Sequence, residues 1–529
     1  MKKSKLLILA TVIVFAFASC SKNEYVKVIP ADAKVVAEVD FKSIVEKCDF
    51  DTNKKVLEAI KTMTSLQSTP KQAEYIKKLL SDPVESGLDV EKPMYVFVTG
   101  DRTCFGMLFA MDSESKFEDF VKTMLPNLSP KFKESGDIHQ MIDGRGAMAY
   151  NGDAFLTLFS FADTNIEVKL SQLFKKENPF TETDTYNKIC DADGDAKLWV
   201  NWGIIPSALF EATGTDITSM TGGVKLKDIN LLSTLTFDKG EMRIDFEQYG
   251  SNDEAQKKLE ANAAKSKTLA GDYMNLATVD CIGWLGVAFD GKSIVDQMNK
   301  DKKTKEAFIV LEQTLGIDVM KLMSSFNGDC AAAFNCKFEN MEESDFLDFF
   351  VAAAKVSNAD FMKDFDKNFK ADDVVVTPLM GNIYQLDVAS EKHDWDWETG
   401  DMTVTTEHTN CVFGVNEQNN LVFTGLKGFS PNLFVGTTSA LDKYKDEIKA
   451  STSFFYFNVK KLMNAIMKES GMAAHIPSEA KTAIEMLDVI IAKGDNKMHG
   501  SARFTVTDNS KNILALYMGI LNEFFENNM

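Results

Sequence analysis

At 529 residues, 45% hydrophobic and 26% charged, the chain is long enough for more than one packed domain and too apolar to be disordered. A formal net charge of −20 argues against sequence-independent binding to nucleic acid and against direct adhesion to anionic headgroups, because both need clustered Lys and Arg to displace counterions. It suits an acidic body held away from a membrane. The first element in the chain is an apolar run from Leu6 to Ala18 preceded by Lys2, Lys3 and Lys5. It is too short to span a bilayer as a stable helix, and residues 1–19 read as a signal peptide.

That run ends in Phe17-Ala18-Ser19-Cys20, small residues before a cysteine, and resembles the lipobox cut by lipoprotein signal peptidase. The resemblance implies that Cys20 is acylated as the first residue of the mature chain, with residues 20–24 as a lipidated tether. Leucine, common at the third position before the cysteine, is absent, a relaxation frequent among Bacteroidetes lipoproteins. Ser21 in place of aspartate implies, by analogy with the enterobacterial retention signal, an outer-membrane destination. Ser21-Lys22-Asn23-Glu24 carries a single acid where surface-exported Bacteroidetes lipoproteins carry several, so the periplasmic face and the cell surface both stay open. No later stretch approaches the ~20 apolar residues of a membrane span, and contact with the membrane falls to the acyl chains.

Further along, apolar strands ending on Asp or Asn run straight into helices. Val35–Val39 leads to Asp40 with Phe41, Ile44, Val45 and Cys48 at helical spacing. Phe454–Phe457 leads to Asn458 with Val459, Leu462, Met463 and Ile466, and Asn201 and Asp290 hold the same position. An Asx side chain there accepts from the orphan N–H groups of the first helical turn, which makes these residues structural. Met94 to Phe109 reads as a hairpin followed by a helix through Phe117, Phe120, Val121 and Met124, and the second half repeats strand, strand and helix through Phe361 and Phe365. Short strands closed by Gly, Asn and Asp, with helices interspersed irregularly, predict an α+β fold with a largely antiparallel sheet. Asp253 to Tyr273, rich in Lys, Ala and Glu, reads as a helix.

Three segments recur in order. Asp40–Val45 matches Asp290–Val295, Gly87–Met94 matches Gly316–Met323 with five identities in eight, and Gly136–Met141 matches Gly381–Leu386, at offsets of 250, 229 and 245. Duplication explains three matches in one order at similar offsets. The expected organisation is one α+β half over 25–250, a junction helix within 251–274, and a second half over 275–529. The opening Ile29-Pro-Ala-Asp-Ala-Lys-Val-Val-Ala-Glu-Val-Asp40-Phe-Lys-Ser, just after the cysteine, resembles an uncharacterised family of Bacteroidetes lipoproteins classed as a domain of unknown function. The resemblance runs the length of the chain. It implies address and architecture and brings no functional residues with it.

Chemistry has few footholds. Gly286-Val-Ala-Phe-Asp-Gly-Lys-Ser293 fits the phosphate-loop pattern letter for letter, yet its centre reads as a buried strand and its duplicate, Val36–Ser43, lacks both glycines. The five histidines are scattered, which speaks against zinc. Cys190-Asp191-Ala-Asp193-Gly194-Asp195 has the look of a calcium loop but puts Ala196 and Trp202 where glycine and the bidentate glutamate belong. Seven cysteines follow Cys20 without a CxxC pair and read as buried free thiols, with a disulfide left open by the compartment and no pairing deducible. No metal or cofactor is expected.

One segment of the second half has no twin, Glu391 to His408, containing Trp395 and Trp397. Alternation puts both tryptophans on one strand face and Asp394, Asp396 and Glu398 on the other, with Thr399-Gly400-Asp401 as the turn. Exposed tryptophans suit stacking on a glycan or an envelope protein; the bland reading is that they cover an edge of their own domain. Two functions follow. One is a non-catalytic binding or scaffolding lipoprotein of the outer membrane. The alternative is a glycan- or peptide-directed hydrolase whose carboxylates converge only in the fold.

Overall fold

The structure, a computed structural model, describes residues 23–528 apart from 67, 163, 207–220, 300–305, 307–308, 311, 314–316, 336–348, 364, 370–372, 396–401, 431–432, 435–438, 470–475 and 496–497. The fold is α+β, with helices set around extensive antiparallel sheet. The chain forms two units. One comprises the chain up to Ile205 together with Lys227–Gln248 and Asn509–Met529, and the other comprises Pro206–Leu226 and Tyr249–Asp508.

The first unit contains β1 (Val35–Val39), β2 (Met94–Val98), β3 (Cys104–Ala110), β4 (Lys133–Ser135), β5 (Ile138–Asp143), β6 (Gly146–Tyr150), β7 (Ala154–Ser160), β8 (Ala196–Asn201), β9 (Ile229–Asp238) and, as far as Gln248, β10 (Glu241–Gly250). They lie side by side in the order β4-β5-β6-β7-β3-β2-β1-β8-β9-β10. The second contains β11 (Cys281–Asp290), β12 (Phe326–Asn335), β13 (Phe350–Val356), β14 (Val374–Met380), β15 (Asn382–Trp395), β16 (Met402–Val415), β17 (Asn420–Gly425), β18 (Ser453–Asn458), β19 (Leu487–Gly494) and β20 (His499–Val506). Their order is β14-β15-β16-β17-β13-β12-β11-β18-β19-β20, the first order with every number raised by ten.

Local chemistry at matching places is the same. Asp40 accepts from Ser43 N at 2.9 Å and Asp290 from Ser293 N at 3.3 Å, each capping the helix that follows its strand. Asn201 accepts from Gly203 N at 3.1 Å and Asn458 from Lys461 N at 2.8 Å, after β8 and β18. Gly136 and Gly381 turn the chain from β4 to β5 and from β14 to β15 with φ of +69° and +55°, a region costly for any residue with a Cβ.

Alternation along each strand decides what is buried. In the first unit Val36, Tyr95, Phe97, Leu156 and Trp199 share the buried face, packed by Tyr25 and Phe180. Glu38 lies on that face too, held by Lys197 Nζ at 2.9 Å and the Tyr95 hydroxyl at 2.5 Å, so its charge is paired rather than stranded. Glu24 already belongs to a helical turn, Glu24–Val28, that buries Tyr25, Val26 and Val28, and the body therefore begins inside the expected tether.

The second unit buries Trp284, Tyr273, Phe454 and Ile448 against one sheet face. Phe361, Phe365, Tyr384 and Cys411 pack on the other. The helix expected over Asp253 to Tyr273 covers Asp253–Ala263 only. Beyond it Leu269 and Tyr273 turn into the core, and the N–H groups of Ala270, Gly271 and Asp272 all donate to the buried Asp329 carboxylate at 2.7–3.0 Å. Three charge-assisted bonds to one acid compensate the helical bonds this segment gives up.

Candidate functional site

Cys20 and Trp397 lie outside the described residues, so of the residues singled out from sequence the structure places Trp395. It ends β15, pairs with Met402 across the hairpin and is 52% exposed. Register puts Glu391 and His393 on its face, together with Val404 and Met402 from β16. Met402 and Val404 are 56% and 47% exposed, so three large apolar side chains stand in solvent at the described end of this hairpin. Lower on the same face His408 Nδ1 lies 2.9 Å from Asp387 Oδ1. The two strands are 14 residues long against 6 and 5 for β5 and β6, which hold the same places in the first sheet. The expected turn, 399–401, falls outside the described residues.

The motifs weighed from sequence resolve into structure. The strand β11 runs through Gly286 to Asp290, and a Cβ at Gly286 would lie 2.1 Å from the Trp284 ring, while one at Gly291 would lie 1.8 Å from Met323 O. These glycines admit an indole and a neighbouring backbone rather than phosphate. Asp195 is buried and accepts from Lys47 Nζ at 2.6 and 2.7 Å, from Ser43 Oγ and from Phe237 N at 2.7 Å. Burial pushes its carboxyl up, but Lys47, the Phe237 N–H and Ser43 outweigh this and hold it below the ordinary range. Among the described residues no three His, Cys, Asp or Glu side chains gather as metal ligands, and no helix is long and apolar enough to cross a membrane. The six described cysteines are unbridged, and Cys190 is exposed where a buried thiol was expected.

Among the described residues of the second unit, two cavities stand out. One of about 300 Å³ sits at the ends of β14 to β17, between Met380, Val415 and Phe434, with Glu417 the one acid among its described residues. The other, about 330 Å³, is a trough on the sheet face that carries Leu285, and its described lining is Leu, Val, Phe, Cys and Ala. Two cross-strand rungs build it, Leu285-Ala332-Ala352-Phe423 and Val287-Cys330-Ala354-Leu421. Alanine and cysteine on β12 and β13 make the floor; the larger side chains of β11 and β17 make the walls. Phe326 closes one end, its ring 5.4 Å from that of Phe289. Burial, and then Asp329, push the Cys330 thiol up to about 11, so it stays neutral. The available sign in the sequence was the pair of runs Cys330-Ala-Ala-Ala and Val351-Ala-Ala-Ala.

A family model described as "Domain of unknown function (DUF4836)" matches residues 25–514. The chain belongs to this family. No curated protein matches this DUF4836 chain. Among solved structures it is similar to crystal form I of TP0453, at 12% identity over 43% of this chain and 79% of that one, with a TM-score of 0.24. Forms IV and III align at 11% and 10% identity over 42% and 46% of this chain and 80% and 86% of theirs, each with a TM-score of 0.25. Scores of this size do not establish a shared fold.

Proposed function

We propose that the protein is a lipoprotein of the Bacteroidetes kind, anchored in the outer membrane by acyl chains on Cys20, with a non-catalytic binding or scaffolding role in the periplasm or at the cell surface. The observation that carries this reading is Phe17-Ala18-Ser19-Cys20 closing a basic-then-apolar leader. The described cavities add no case for hydrolysis, since among their described residues one holds a single carboxylate and the other none. The contact peculiar to the second half is the Trp395 and Trp397 hairpin, whose partner is a glycan or an envelope protein. Cys20→Ala tests the anchor. The variant should take up no labelled palmitate and should no longer fractionate with outer membrane; palmitate in the variant would refute the reading.

The same proposal includes descent of the halves 25–250 and 275–529 from one duplicated unit, joined through 251–274. Its supports are the shared strand order, the four Asx caps and the two glycine turns.

A further inference from the structure

In the first sheet the positions of the trough are filled. The matching rungs there are Val35-Val98-Phe105-Phe159 and Ala37-Val96-Met107-Thr157, so the floor holds Val98, Phe105, Val96 and Met107 in place of Ala332, Ala352, Cys330 and Ala354. The topology therefore does not require an open floor, and the second sheet has one because its side chains were made small. The space is open to the outside: Leu285 in its wall is 46% exposed in the whole chain. Apolar surface left in water is unfavourable at about 25 cal/mol per Å², and an apolar cavity admits hydrocarbon more readily than water.

Size and charge select the occupant. Two rungs across four strands make a patch on the order of 100 Å², against the ~800 Å² that each partner in a stable protein pair buries. A second copy or a folded partner is too large for it. A cavity of ~150 Å³ accepts benzene, so 330 Å³ holds a hydrocarbon segment of about a dozen carbons. Among the described residues no charged side chain lines the trough, which favours an occupant uncharged along its length. A net charge of −20 opposes the carboxylate of a free fatty acid waiting at the mouth but is indifferent to a zwitterionic headgroup. We propose that the trough over β12 and β13 binds one acyl chain of a net-neutral phospholipid, with the headgroup left in water. The proposal deepens the binding role given above and rests on that reading only for access to a membrane.

The test uses the full chain in phosphatidylcholine vesicles containing a phosphatidylethanolamine with a mid-chain diazirine, photolysed and mapped by mass spectrometry. The expected adduct lies on peptides of β12 and β13. Ala332→Val with Ala352→Phe installs the first sheet's residues and should lower that labelling roughly tenfold or more, the equivalent of about two buried methylenes lost. Leu285→Lys, at a wall position already 46% exposed, should lower it too. No adduct on these strands, equal labelling of both variants, or equal labelling by a diazirine fatty acid would overturn the proposal. Cys20 acylation is read in the same spectra, so an acylated chain without trough labelling fails the trough and leaves the anchor standing.

Discussion

At the scale of single residues, the buried acids work as structural clamps. Asp195 ties the helix Phe41–Lys47 to β9 through Lys47, Ser43 and the Phe237 N–H, all within the first unit. Its carboxyl titrates lower when folded than when unfolded, so its contribution is present above the ordinary carboxylate pKa of ~4 and is lost as pH falls through the lower folded value. Asp195→Asn keeps the shape but leaves the Lys47 ammonium without its counter-ion, at a cost of about 2–3 kcal/mol near neutral pH. Denaturant melts from neutral pH down to the acid limit should show parent and variant converging as pH drops. A gap that persists or widens in acid would remove the clamp from Asp195.

At the scale of elements, the long hairpin and the trough differ in how far they could be read beforehand. Asp40, Asn201, Asp290 and Asn458 were legible because a cap depends on a side chain and a backbone N–H two or three residues apart. The hairpin was legible because β15 and β16 are neighbours in sequence and their excess length shows against the first half. The trough was not. Ala332 faces Ala352 and Phe423 only through pairings that bring three separate strands together, and the alternation that hides every other alanine is invisible until register is known. The helix misread as reaching Tyr273 has a similar cause, because Asp329, which holds residues 270–272, is 57 or more positions away. For the hairpin, Trp395→Ala with Trp397→Ala should change the melting temperature by no more than about 1–2 °C, since removing exposed apolar surface costs little. It should also abolish binding to whatever glycan or envelope protein the parent retains on an array. A drop in melting temperature of roughly 5 °C or more would assign the tryptophans to the core instead.

At the scale of the whole molecule, the division into units does not follow the halves read from the repeats. Residues 509–529 close the second half in sequence but belong to the first unit, and the helix Asp253–Ala263, which follows the first half's last strand, belongs to the second. Composition offers no sign of this, because a helix docks by its apolar face and that face does not record which sheet it meets. The terminal helix Ile513–Asn528 buries Ile513 and Ala515 and is tied down by specific bonds. Asn512 Nδ2 donates to Phe237 O at 2.8 Å, Gly240 N donates to Lys511 O at 3.0 Å, and Lys55 N donates to Asn522 Oδ1 at 2.8 Å. Without it the helix Lys54–Leu66 would lose one of its two helical packing partners and the buried Asn53 its bond to Ala515 O. Ending the chain after residue 508 should therefore destabilise the first unit by at least about 3–5 kcal/mol, the range for truncating a single large core side chain. In hydrogen exchange, protection should fall first in 41–66 and 229–238, while 281–290 and 326–335 keep theirs. Equal loss in both sets would mean that the terminal helix supports the whole chain as one cooperative body, and the assignment to the first unit would fail.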